Sequence, residues 1–201
     1  ALSSTTLASC RSVLLAPNTA EAVLFATTGS AWSAAVIAAE DQKFPSHHGF
    51  DFDSLWRALT EERSRIRGAS TITQQLAKNL FFSFERSYMR KFRELLVALQ
   101  IETRYSKREI LEAYLNQIPF GVGAHGIEQA ARSFFGKPAL ELNLAESALL
   151  DGLPKSPTRY NPYRHFERAR KRQQLVLGRM LTVGYITSEE AQAASQADLR
   201  L

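Results

Sequence analysis

Three short stretches carry the residue types best suited to chemistry. Glu40 and Asp41 close an alanine-rich, apolar run over residues 31–39. Two carboxylates at the negative end of a helix disfavour each other's charge, and an apolar surrounding is where one of them can exchange a proton, as general acid–base catalysis requires. The plainer reading is a solvated acidic pair. Residues 68–79, Gly-Ala-Ser-Thr-Ile-Thr-Gln-Gln-Leu-Ala-Lys-Asn, form the second stretch. On a helix Thr71, Gln74, Gln75 and Lys78 fall at i, i+3, i+4 and i+7, one hydrogen-bonding face with a cation, beside an apolar stripe of Ile72, Leu76 and Leu80. A merely solvated face carries Glu and Lys more often than Thr-Gln-Gln. The third stretch holds Arg86, Arg90, Lys91, Arg93 and Glu94. Its cations suit a polyanion or a pyrophosphate. The alternative is an exposed helix on which Glu94 pairs with Arg90 at i,i+4. Phe92, Leu95, Leu96 and Leu99 share another face, which this reading assigns to the core.

Other motifs carry less. Residues 121–126, Gly-Val-Gly-Ala-His-Gly, match a dinucleotide fingerprint but follow a helix and Pro119 rather than a strand, so they read as a tight helix-to-helix connection. His47, His48, His125 and His165 form no ligand pair at helical spacing, and a single cysteine, Cys10, makes neither an internal disulfide nor a zinc cluster. No serine acyl-transfer motif occurs. Arg164, Arg168, Arg170, Lys171 and Arg172 read as a solvated face or as one resting on anionic lipid.

These residues need elements to position them. Capping boxes at Ser106/Glu109, Asn143/Glu146 and Thr187/Glu190 start helices; Gly136 and Gly184 stop them. Further helices are predicted at about 31–40, 53–64, 71–81 and 86–104, and no sustained two-residue alternation signals a large sheet. The reading is a mainly all-α, single domain over 1–201, with 184–201 a tail or the start of a linker. Loops at 42–52, 66–70, 119–125 and 154–162 abut helix ends, where backbone dipoles are available. With 45% hydrophobic and 22% charged residues the chain is an ordinary globule, and its net charge of +5 favours an anionic partner. No apolar run reaches the ~20 residues a membrane span needs. A helical nucleic-acid binder is suggested only by charge.

Taken in order, the blocks resemble the peptidoglycan glycosyltransferase (transglycosylase) family: monofunctional enzymes and the N-terminal domains of class A penicillin-binding proteins. The resemblance rests on Glu40 to Asp51 with Phe44, His47 and Gly49; on residues 68–79; on Arg90 to Glu94, continuing to Glu102; on Lys107 to Asn116 with Phe120 and Gly121; and on Pro154 to Pro157 with Tyr160, Asn161 and Pro162. It covers about residues 31–183. It implies a lysozyme-like helical fold and a substrate, lipid II, a disaccharide-pentapeptide on undecaprenyl diphosphate, added to a growing lipid-linked glycan.

By that likeness Glu40 is the catalytic base and Glu94 a second essential carboxylate. Asp41, Ser70, Asn79 and Lys91 fall among the substrate-binding positions. Phe44, His47 and Gly49 shape a loop over the acceptor, and Thr71, Gln74 and Gln75 position sugar or phosphate oxygens. Lys78, Arg86, Arg90 and Arg93 meet the departing pyrophosphate. No metal site is built by the protein alone; a divalent cation, Mg or Mn, would accompany the pyrophosphate, with Asp41 and Glu94 the nearest carboxylates. The expected partners are the membrane surface and cell-wall synthesis and division proteins, not nucleic acid. The expected location is the outer, periplasmic face of the bacterial cytoplasmic membrane, in a catalytic domain separated from its anchor. The rival reading is a lysozyme-like lytic hydrolase, which needs neither the Gln-Gln-x-x-Lys-Asn face nor the cations of residues 86–93.

Overall fold

The computed structural model describes residues 31–52, 70–82 and 87–201. The helix expected at 53–64, Gly68 and Arg86 lie outside them. The described residues hold helices α1 (Ala31–Glu40), α2 (Ile72–Phe81), α3 (Tyr88–Glu102) and α4 (Lys107–Gln117), then a hairpin of β1 (Pro119–Gly121) and β2 (Ala124–His125). Helices α5 (Ile127–Phe135), α6 (Leu144–Gly152), α7 (Phe166–Val183) and α8 (Ser188–Gln196) follow. The class is mainly all-α, as a lysozyme-like domain requires.

Local chemistry sets the helix ends. Thr71 and Ser87 cap α2 and α3, their hydroxyls accepting from the Gln74 and Arg90 N–H groups at 3.2 and 3.0 Å. Asn143 with Glu146 and Thr187 with Glu190 make complete capping boxes. The Ser106 hydroxyl and N–H both donate to Glu109 at 2.7 Å and hold its carboxyl below the usual carboxylate range. Gly136 and Gly184 stop α5 and α7 in the left-handed region, at φ 66° and 81°.

Residues 43–117 form one compact unit, and residues 31–42 with 118–201 form another. In the first, α2 packs against α3 and α4 through Ile72, Leu76 and Ala77, which are fully buried. Helix α3 departs from the expectation. Its buried face is Glu94, Val97, Ala98 and Ile101, whereas Phe92 and Leu96 are 57% and 44% exposed. Both sets recur at i, i+3, i+4 and i+7, so periodicity alone permits either face. The structure turns the carboxylate inward because cations accompany it.

In the second unit Ala35, Ala38 and Ala39 of α1 let that helix lie close to Ala145, Ala148 and Leu149 of α6 and to Ala169, Val176, Leu177 and Met180 of α7. Ala194 and Leu199 join the same core, and Arg170 donates to the Ser195 and Ala197 carbonyls, each at 2.8 Å. Residues 188–199 thus pack as part of this unit. The glycine-rich stretch is an antiparallel hairpin rather than a plain helix connection, with Val122 at φ 51° in its turn.

Candidate active site

Glu40 ends α1, its side chain 19% exposed. Arg172 Nη2 lies 3.7 Å from Glu40 Oε1, and Arg172 is itself 4% exposed. Arg179, two turns further along the same face of α7, donates to the Ala39 carbonyl and so satisfies an orphan acceptor at the C-terminus of α1. Behind them Asp151 of α6 is buried. Burial pushes its carboxyl well above the usual carboxylate range; the Glu40 charge adds to the rise, and Arg172 and Arg179 oppose it. Asp41 follows α1, 8% exposed, its N–H donating to the Ile37 carbonyl at 3.1 Å. Glu40 therefore lies beside an arginine and Asp41 is buried, and the solvated-pair reading does not describe them.

Arg172 corrects a second expectation. It does not belong to a solvated basic face: it shares the buried stripe of Ala169, Gln173, Val176, Leu177 and Met180. That stripe was readable at helical spacing, but a run of basic residues masked it. Arg164, Arg168 and Lys171 are exposed.

In the first unit residues 43–52 of the loop are held from within. Phe44 is 2% exposed, and the Lys107 ammonium lies 4.5 Å from its ring centroid. His47 accepts the Gly49 N–H at Nδ1, at 3.1 Å, which leaves the proton of a neutral ring on Nε2. The Gly49 carbonyl accepts from the Thr71 hydroxyl at 2.8 Å. Gly49 sits at φ 89°, and a Cβ there would come 3.2 Å from Glu102 Cγ and 3.3 Å from the Ala98 backbone. Gly49→Ala is therefore expected to destabilise the protein by ~1–3 kcal/mol, from backbone strain and overpacking. Urea unfolding checks this; a midpoint equal to that of the parent would show that the loop is not pinned.

The Thr-Gln-Gln face is more inward than a substrate-facing surface requires. Thr71 and Gln74 are 3% and 7% exposed. Gln75 donates to the Ser70 carbonyl at 3.4 Å and accepts from the Tyr114 hydroxyl at 3.1 Å. Lys78 is half-buried and Asn79 exposed.

Glu94 is the centre of the cationic stretch. Its side chain is 2% exposed, with Arg90 Nη1 2.9 Å from Oε1 and Lys91 Nζ 3.1 Å from Oε2. Lys91 Nζ also donates to Ser70 Oγ at 2.8 Å, tying α3 to the approach of α2. Arg93 is exposed. The i,i+4 pair is present, but on a buried carboxylate rather than an exposed helix. Each Glu94 oxygen faces a cation, and among the described residues no group of three or more His, Cys, Asp or Glu side chains gathers.

A model of the transglycosylase family matches residues 10–181. The chain belongs to the peptidoglycan transglycosylase family. This transglycosylase chain is 51% identical over 163 residues to penicillin-binding protein 1A of Aquifex aeolicus, covering 80% of the chain and 22% of that protein. It is 41% identical over 170 residues to penicillin-binding protein 1F of Bacillus subtilis, covering 83% of the chain and 24% of that protein. Among solved structures it is similar to penicillin-binding protein 1A of Haemophilus influenzae, 36% identical, covering 64% of this chain and 16% of that one, at a TM-score of 0.46. The transglycosylase chain spans less than a quarter of the length of these curated relatives.

Within the transglycosylase chain Phe44, His47, Gly49, Ser70, Thr71, Gln74, Gln75, Lys78, Asn79, Arg90, Lys91, Arg93 and Glu94 belong to the first unit, and Glu40 and Asp41 to the second. Asp151 and Arg179 had no motif to announce them. Arg179 stands seven residues after Arg172 on α7, so the two share a face, a signal visible only once Arg172 is placed inside.

Proposed function

We propose that this transglycosylase polymerises lipid II into glycan strands, with Glu40 as general base. The donor, a growing chain on its lipid pyrophosphate, leaves as an anion and needs positive charge rather than a proton. Lys78, Arg90, Lys91 and Arg93 supply that charge, and Glu94 holds Arg90 and Lys91 in place. The acceptor GlcNAc 4-hydroxyl is a poor nucleophile and needs a base beside it. Glu40 takes its proton as the oxygen attacks the anomeric carbon; the bond to pyrophosphate breaks on the opposite face, inverting α to β.

The observation that carries this reading is the buried Glu94 carboxylate with its ordered cations. Glycan cleavage in the lytic manner releases no pyrophosphate and gives such a set nothing to do.

Helix α3 also supports a membrane-surface location. Tyr88, Met89, Phe92 and Leu96 are 95%, 61%, 57% and 44% exposed along one side, with exposed Lys91 and Arg93 near them. An apolar stripe beside cations suits an anionic lipid interface, where the prenyl chain of lipid II resides. Among the described residues no helix is long and apolar enough to cross a membrane. The outer face of the cytoplasmic membrane is the setting we propose.

Incubation with labelled lipid II, with and without the phosphoglycolipid donor mimic moenomycin, tests the activity. A ladder of glycan strands that moenomycin abolishes is expected. Absence of strands, with soluble muropeptides released from purified sacculi, would replace the reading by the lytic one. Lys78→Ala is expected to weaken donor binding by about 10–100-fold, the worth of one charge-assisted hydrogen bond, with helicity intact. Unchanged moenomycin affinity would remove Lys78 from the donor site.

A further inference from the structure

Glu102 has no part in the chemistry above, yet it is among the most firmly held carboxylates of the first unit. It ends α3 with its side chain 4% exposed. Oε1 accepts from the Thr73 hydroxyl at 2.5 Å and from Lys107 Nζ at 2.8 Å, and Lys107 Nζ lies 2.8 Å from Oε2 as well. Thr73 is fully buried in the first turn of α2, directly before Gln74. Lys107 opens α4 and faces the Phe44 ring. Gly49 rests against the Glu102 stem, and its carbonyl is held by Thr71.

We propose that Glu102 is a positioning residue: by gripping Thr73 and Lys107 together, its carboxylate fixes the loop bearing Phe44 and His47 against the helix bearing Gln74 and Lys78. This rests on the polymerase reading for its functional consequence.

The physical argument is one of direction. An apolar side chain of similar volume would fill this space without the desolvation cost of a buried charge. What it would not do is hold a hydroxyl on one helix and an ammonium on another at set angles. The Lys107 ammonium, bonded to both Glu102 oxygens, has its remaining side on the face of Phe44, so the start of the loop is aimed from Glu102. The end of the loop is aimed from the same place, through the contact of Gly49 with the Glu102 stem. A Lys43–Asp51 pair at 3.5 Å closes the loop at the surface and is too exposed to orient it alone.

Glu102→Gln keeps the shape and one acceptor oxygen but removes the charge and one of the two oxygens that hold the ammonium. Amide hydrogen exchange over residues 43–50 should rise about tenfold while the middle of α3 stays protected, as a local opening without global unfolding requires. In lipid II polymerisation KM should rise about tenfold with kcat within about threefold, the mark of lost binding geometry rather than lost chemistry. In a Lys107→Met background the same change should add little to either readout, because both substitutions cut one bond. A purely structural role would lower the unfolding midpoint and leave exchange in the loop and KM at parent values; that result overturns the proposal. If Glu102→Gln does not fold, Thr73→Val and Lys107→Met each cut one arm and should give the same exchange and KM changes, and parent values in both overturn it. If the parent makes no strands, the polymerase reading fails by itself, and the exchange measurement still decides the positioning role.

Discussion

Glu40→Gln is expected to slow lipid II polymerisation by roughly 10²–10⁴, about 3–5 kcal/mol of barrier, with the fold retained. Gln matches Glu in volume and sits at the end of α1 rather than in its core, so helicity should not change. Arg172 attracts the Glu40 carboxylate from 3.7 Å, beyond hydrogen-bond length, so the guanidinium steadies the charge without donating to that oxygen. A gel assay of glycan strands beside circular dichroism checks both halves. Turnover equal to that of the parent would take Glu40 out of the mechanism.

Glu94→Gln should cost both stability and activity. Removing one member of a fully buried ion pair typically costs ~3–5 kcal/mol. The cost here is expected nearer 1–3 kcal/mol, since water can reach the cations left behind: the Arg90 and Lys91 side chains are 18% and 50% exposed. The activity loss should exceed the stability loss in consequence. Released from Glu94, Arg90 and Lys91 no longer present charge at one place, and two charge-assisted contacts to a pyrophosphate are together worth about 10²-fold or more in rate. Urea unfolding and strand assays on folded protein separate the two. A variant as unstable as expected but fully active would make Glu94 a structural acid only.

The parts of the molecule readable from sequence were those decided within one helical turn. Ser106 with Glu109, Asn143 with Glu146, and Thr187 with Glu190 each bond a backbone group at most three residues away, and each stands where the pattern places it. On helix α3, Phe92, Leu95, Leu96 and Leu99 make as regular a stripe as Glu94, Val97, Ala98 and Ile101, and hydropathy prefers the first. Arg172 reads as solvated in sequence because it stands in a run of basic residues, of which Arg164, Arg168 and Lys171 are exposed.

The order of the motif blocks along the chain, the caps, and the preponderance of helix were settled by sequence alone, since they depend on neighbours a few residues away and on recurring residue types. Which carboxylates are buried, and which cations answer them, was decided only by tertiary packing. Lys91 meets Ser70 across 21 residues, Glu102 meets Thr73 across 29, and Arg179 meets the Ala39 carbonyl across 140. Coulomb and hydrogen-bond energies fall with distance through space, and the chain must fold before that distance exists.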